Sequence, residues 1–317
     1  MTPTPTILDV MTDPKLFGSW FAGDSWEAWK SWLAALFCLP MTPQQLAIYR
    51  TCTQREHPPA TRPREGVLVK GRRAGGSRIQ AFVAGYLATF VDWKPHLSPG
   101  EMALIAITSV DRSSARVLFG YIKAFFSHPL MAPLVTSWRS DGLDLSNGVS
   151  IEIRTASFRS IRGYTIVAAL CDEIAYWRSD DGSANPDREI LGALRPSMAT
   201  IPQALLLLLS SPYARRGELW TAYERYHGNA DDRVLVWQGA SELMNPTIDR
   251  ALIAAAYEED ESLAAAEYGA QFRRDIESFL SKEAWPPSPC RGGRSSHPRR
   301  IGRITRLSTP RVVPRIR

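Results

Sequence analysis

The sequence predicts an α/β fold: a mainly parallel sheet flanked by helices, with a helical segment before it and a disordered tail after it. Three observations predict it. From residue 66 to about residue 240, short apolar runs alternate with longer amphipathic stretches. That is the pattern of strands buried on both faces and connected through helices. A glycine-rich turn follows the first apolar run and opens a helical stretch. At Pro286 the composition changes abruptly to arginine, proline, serine and glycine.

Residues 1–60 read as helical. Trp26, Trp29, Leu33, Leu36 and Phe37 fall near 3.6-residue spacing. A second helix starts with Thr42 as N-cap and Pro43 at its first position, and it carries Gln44 and Gln45. His57 to Glu65 is rich in proline and arginine and reads as a loop. The core domain, residues 61–248, holds the apolar runs Val67–Val69, Met102–Thr108, Val149–Arg154, Ile166–Cys171, Ala204–Leu209 and Val234–Trp237. Ser77–Val91 and Arg112–Phe126 are helical candidates between them. Val149, Ile151 and Ile153 alternate with polar residues, so that strand is expected to be half exposed. Helices resume over Asp249–Arg274, within a linker spanning 249–285. Residues 286–317 contain nine arginines and six prolines with no sustained periodicity, and cannot bury enough apolar surface to offset chain entropy.

Of the 317 residues, 44% are hydrophobic and 22% charged, as in soluble globular proteins. The stretch Trp20–Leu39 is interrupted by Asp24, Glu27 and Lys30, and Leu205–Leu209 is far short of the roughly 20 residues a membrane span needs. The N-terminus lacks a basic region followed by an apolar core, so no signal peptide is expected. Cys38, Cys52, Cys171 and Cys290 are scattered without CxxC spacing, and there is no HExxH. This argues against a metal cage or disulfide framework and for a reduced cytosolic protein. The net charge of +6 would suggest a nucleic-acid binder, but residues 1–285 hold 29 basic and 32 acidic side chains, a net of −3.

Two constellations carry chemistry. Val67-Leu-Val-Lys-Gly-Arg-Arg-Ala-Gly-Gly-Ser-Arg78 is a strand, a glycine-rich turn and a helix start, the setting of a phosphate loop. Glycines let backbone N–H groups turn onto a phosphate, and the helix N-terminus favours negative charge. Gly71, Gly75 and Gly76 supply the freedom, and Ser77 the hydroxyl for Mg²⁺. Gly76 stands where GxxxxGK[ST] has lysine, so Lys70, Arg73 and Arg78 are the candidate cations on the phosphates. An ordinary glycine-rich turn with surface arginines would look the same in isolation. The second constellation is Ile166-Val-Ala-Ala-Leu-Cys-Asp172-Glu173, an apolar strand running into adjacent carboxylates. It reads as a Walker B strand in which Asp172 holds Mg²⁺ through water and Glu173 polarises the attacking water. Leu205–Leu209 ends similarly in Ser210 and Ser211, hydroxyls that could reach the γ-phosphate or its water, or simply begin a turn before Pro212. Together these predict a P-loop ATPase core that uses ATP hydrolysis to move something.

In the order and spacing of its motifs the chain resembles the large subunit of tailed-phage terminase, over residues from about 40 to 285. GRRAGGSR resembles that family's GRRxGKS-type loop, SFRSIRGYT followed by CDEIAYW its Walker B region, and LSSPYARRGELW its coupling motif. Met244-Asn-Pro-Thr-Ile248 and Ala266–Asp275 resemble its linker towards a nuclease. The resemblance implies a Mg²⁺-dependent ATPase that drives double-stranded DNA into a procapsid. It would work in the host cytoplasm as a homo-oligomeric ring, with a portal protein and a small terminase subunit. Some terminases place the loop lysine at the start of the motif, where Lys70 stands here. The family also reads adenine near Gln45. It places a catalytic arginine at Arg162, inserted into a neighbouring subunit, with Arg159 the competing candidate. A helicase-like translocase and an inactive prophage remnant are the rival readings.

The family's nuclease needs several separated carboxylates, and no Asp or Glu follows Glu283. The chain is therefore expected to lack nuclease activity, with its last residues read out of frame; a genuine basic tail that binds DNA phosphates is the rival.

Overall fold

The computed structural model describes residues 4–155, 165–177 and 186–273. The expected disordered tail, the end of the linker and the stretch carrying Arg159 and Arg162 lie outside the described residues.

Among the described residues, three α-helices precede the sheet: α1 (Ile7–Thr12), α2 (Glu27–Leu36) and α3 (Pro43–Thr53). Thr42 caps α3 as its sequence predicts. Its hydroxyl accepts from Gln45 N, and the Gln45 side chain accepts from Thr42 N, closing a capping box. The core then runs β1 (Glu65–Lys70), α4 (Gly76–Phe90), β2 (Ala103–Ser109), α5 (Arg112–Phe126), β3 (Val135–Trp138), β4 (Gly142–Leu145), β5 (Val149–Thr155) and β6 (Ile166–Asp172). It continues with α6 (Pro186–Ser197), β7 (Leu205–Ser210), α7 (Gly217–Tyr226), β8 (Val234–Gly239), α8 (Ser241–Met244), α9 (Arg250–Glu259) and α10 (Glu261–Glu267).

The strands form one eight-stranded sheet in the order β3-β4-β5-β2-β6-β7-β1-β8. The pairs from β5 to β8 are parallel, and β3–β4–β5 closes one edge antiparallel. Every residue of β2, β6 and β7 is buried, which is why these strands are apolar up to their C-terminal ends, where Thr108, Ser109, Asp172 and Ser210 stand. Helices α4 and α5 pack on each other and on the sheet, and α7 packs on β1 and β8. The N-terminal helices belong to the same core. Phe17 stacks on Phe125 at 4.3 Å between ring centroids, and Trp29 and Trp32 are fully buried.

Three sequence expectations are amended. The polar face of β5 is covered rather than open: Ser150 is buried and receives Arg139 Nη2 at 2.9 Å. The hairpin β3–β4 has no counterpart among the expected strands, because four-residue strands are too short to show a period. The helical run from Asp249 breaks at Asp260, whose carboxylate caps α10 by accepting from Leu263 N, and helix ends at Glu267.

The inserted strand β7 aligns three strand ends. Val69 of β1 pairs with Ser210, and Leu209 pairs with Asp172 of β6. Lys70, Ser210 and Asp172 therefore end adjacent parallel strands on one edge of the sheet.

Candidate functional site

Residues 71–75 leave β1 and turn into α4. Arg73 (φ +61°) and Gly75 (φ +94°) both adopt left-handed backbone, a conformation that favours glycine at the second position. Helix α4 begins without a side-chain cap, and its first-turn N–H groups, as in any helix, have no intrahelical partner. Three consecutive carbonyls of the turn are bonded on its outer side. Arg72 O accepts from Ser241 Oγ at 2.6 Å, Arg73 O from Asn245 Nδ2 at 2.8 Å, and Ala74 O from Trp29 Nε1 at 2.8 Å. Gly71 has a supporting role: its N–H donates to Gly239 O at 3.0 Å, and a Cβ there would lie 2.6 Å from Tyr268 O.

Lys70 crosses this turn. A Cβ on Gly76 would stand 2.6 Å from Lys70 Cε and 2.9 Å from Lys70 Cδ, so the lysine stem fills the space that a side chain at position 76 would need. Lys70 Nζ then donates to Glu173 Oε1 at 2.8 Å. The lysine is buried, 5% exposed, and an ammonium at that depth requires such a partner. A lysine ammonium is thus brought to the turn from the end of β1 rather than from position 76.

Glu173 follows β6 in left-handed backbone, φ +50°, a strain of about 1–2 kcal/mol for a non-glycine residue. Its carboxylate is held on both oxygens: Oε2 accepts from Ser211 N at 3.2 Å and lies 3.2 Å from Ser210 Oγ. Burial pushes its pKa up. The Lys70 charge and hydrogen bond and the Ser211 and Ser210 contacts outweigh this, so Glu173 titrates below the usual glutamate range. Asp172 shifts the opposite way. Burial, then the neighbouring Glu173 charge, raises it to about 6, against a weaker pull from Lys70. Asp172 Oδ1 is buried with no hydrogen-bond partner in the protein, and Ser211 Oγ is likewise buried and unpartnered.

The geometry thus brings together Lys70, Gly75, Gly76, Asp172, Glu173, Ser210 and Ser211, with Ser77 at the start of α4. Arg73 is exposed at the turn. Arg78 faces elsewhere: its guanidinium donates to Trp20 O at 2.6 Å and lies 5.0–5.9 Å from the ring centres of Trp20, Phe21 and Trp26. Gln45 is buried and engaged at both ends of its amide, through the capping box and through Nε2 to Glu27 Oε1 at 3.0 Å. Trp29, Ser241 and Asn245 escape a reading of the sequence as site residues. Asn245 lies in the Met244–Ile248 motif, which reads in sequence only as a linker.

No protein-family model matches the sequence, and no curated protein matches it. Among solved structures, the chain is similar to the Thermus phage P74-26 large terminase ATPase domain at 15% identity and TM-score 0.52, covering 76% of this chain and 97% of that domain. It is similar to the HK97 bacteriophage large terminase at 16% identity and TM-score 0.53, covering 74% of this chain and 51% of that one. The large terminase from a thermophilic bacteriophage, solved in complex with ADP, matches at 10% identity and TM-score 0.50, covering 77% of this chain and 53% of that one. The chain spans about half the length of these last two proteins. At these identities the likeness is one of fold, and the fold is that of phage large terminase ATPase domains.

Proposed function

We propose that this chain is an ATP-hydrolysing motor domain of the terminase type, acting on double-stranded DNA. One observation carries the reading: Lys70 passes over Gly76 to reach Glu173 at the edge where the phosphate turn, β7 and β6 converge. In this reading the α4 N-terminus and the turn's N–H groups cradle the phosphates, and Lys70 exchanges Glu173 for the β- and γ-phosphates. Glu173, released but still braced by Ser210 and Ser211, accepts a proton from the attacking water. That the thermophilic-phage terminase was solved with ADP supports an adenine nucleotide as ligand.

Magnesium fits the residues present. Asp172 offers a buried oxygen without a protein partner, and Ser77 offers a hydroxyl. Among the described residues no cluster of three or more His, Cys, Asp or Glu side chains could hold a metal alone. The remaining ligands would be phosphate oxygens and water, the usual shell of a nucleotide-bound Mg²⁺. When bound, the ion neutralises charge on the transferring phosphate. Arg162 is proposed from the sequence as the arginine supplied to a neighbouring subunit, in a ring that meets a portal protein and a small subunit. Gln45 is proposed from the resemblance as the residue that reads adenine, since its amide keeps one N–H and one lone pair beyond its bonds to Glu27 and Thr42.

Phosphate release by the purified chain, with and without double-stranded DNA, tests the proposal. Mg²⁺-dependent release that double-stranded DNA stimulates supports it. Stimulation by single strands alone favours a helicase-like translocase, and a folded protein that binds ATP without turnover is an inactive remnant.

A further inference from the structure

We infer that Asn245 is a positioning residue of the phosphate loop, and that Met244-Asn-Pro-Thr-Ile248 is part of the nucleotide site rather than a simple connection. The inference rests on the ATPase reading above.

Arg73, a non-glycine residue in the middle of the turn, is held at φ +61°. Its carbonyl accepts from Asn245 Nδ2 at 2.8 Å. A carbonyl fixed on the outside of the turn keeps the following peptide N–H directed to the inside, where a phosphate would sit. The amide of Asn245 is itself oriented. Its Oδ1 accepts from Thr247 Oγ1 at 2.6 Å and from Thr247 N at 3.3 Å. With Oδ1 engaged by two donors, Nδ2 is the end that faces Arg73. Asn245 N donates to Ser241 O at 2.8 Å, tying the residue to α8, whose Ser241 Oγ holds the preceding carbonyl of the loop. Thr247 sets Asn245, and Asn245 sets the loop. Asn245 meets the loop on its outer side, so its effect on the nucleotide passes through the backbone.

The pair of variants Asn245→Asp and Thr247→Val tests this on the full chain. Aspartate keeps the size of the side chain and cannot donate, so it sets two acceptors face to face. Loss of this bond should raise KM for ATP about tenfold, the effect of roughly 1.4 kcal/mol, with kcat within about twofold of wild type. Thr247→Val should raise KM by a smaller factor, and Thr247→Ser, which retains the hydroxyl, should restore it. Affinity for ATP, measured by displacement of a fluorescent ATP analogue, should fall while that for adenosine does not, because only the phosphates touch the loop. A purely structural role would lower the active fraction, and hence kcat, at unchanged KM. If KM is unchanged in Thr247→Val and in a folded Asn245→Asp, the inference fails. If wild type itself binds no ATP, the ATPase reading fails first, and the two failures are distinct.

Discussion

Lys70 Nζ donates to Glu173 Oε1 at 2.8 Å from across the intervening strand β7. Glycine at position 76 leaves the lysine stem its present path: a Cβ there would stand 2.6 Å from Lys70 Cε, and the stem would have to shift. Two apparent departures from the usual phosphate-loop motif, a glycine in the lysine slot and a lysine at the strand end, are therefore one arrangement.

The two positions should accordingly behave as a pair. Lys70→Ala should lower ATP turnover about a hundredfold, the usual scale for removing a charge-stabilising group. Gly76→Ala obstructs only the far end of a flexible side chain, so the melting temperature should barely move, while displacement of Lys70 lowers turnover about tenfold. Moving the lysine in Lys70→Ala/Gly76→Lys should recover at least part of the activity lost in Lys70→Ala. Steady-state kinetics on the three variants check this. Full activity in Lys70→Ala, with loss in Arg73→Ala instead, would assign the cation to Arg73.

Asp172 should trade stability against chemistry. Its folded pKa, about 6, lies above the roughly 3.9 of an unfolded aspartate. Ionised Asp172 is therefore destabilising; the penalty is full above pH 6 and disappears as pH falls through 6 towards 4. Without metal at pH 7.5, Asp172→Asn should stabilise the protein by on the order of 2 kcal/mol, and the difference should vanish near pH 4. The same variant should lose Mg²⁺-dependent turnover, and added Mg²⁺ with nucleotide should stabilise wild type alone. Denaturant titrations across this pH range measure both effects.

Arg78→Ala should damage folding rather than nucleotide binding. The guanidinium lies among Trp20, Phe21 and Trp26 and donates to Trp20 O, so its loss should cost about 1–3 kcal/mol. KM for ATP should stay within twofold of wild type. A large rise in KM with unchanged stability would return Arg78 to the phosphates.

Six strands, β1, β2 and β5 through β8, are legible in the sequence, β5 by its alternation and the others as apolar runs, and α4 and α5 are legible through their amphipathic period. Strand β3 is not: its Thr136, Ser137 and Trp138 are exposed, and an edge strand that buries little carries no pattern. Lys70, Asp172 and Glu173 are legible because strand ends and carboxylate pairs are local features. Trp29, Ser241 and Asn245 are not, since each meets the loop from a distant part of the chain, and nothing in a single sequence brings residues 29, 74 and 245 together. Arg78 illustrates the converse: its place in the motif suggests phosphate, while the aromatic residues that engage it lie more than fifty positions earlier.

The central claim is that Glu173 activates water for ATP hydrolysis while Lys70 and the loop hold the phosphates. It is tested most directly by comparing wild type and Glu173→Gln in two measurements on the same preparations, ATP binding and Mg²⁺-dependent phosphate release. Glutamine retains the shape and can still accept from Ser211 N, but it cannot take a proton. Binding should be equal within about threefold, and release by Glu173→Gln should fall by a factor of about 10²–10⁴. Equal phosphate release from the two proteins would contradict the account.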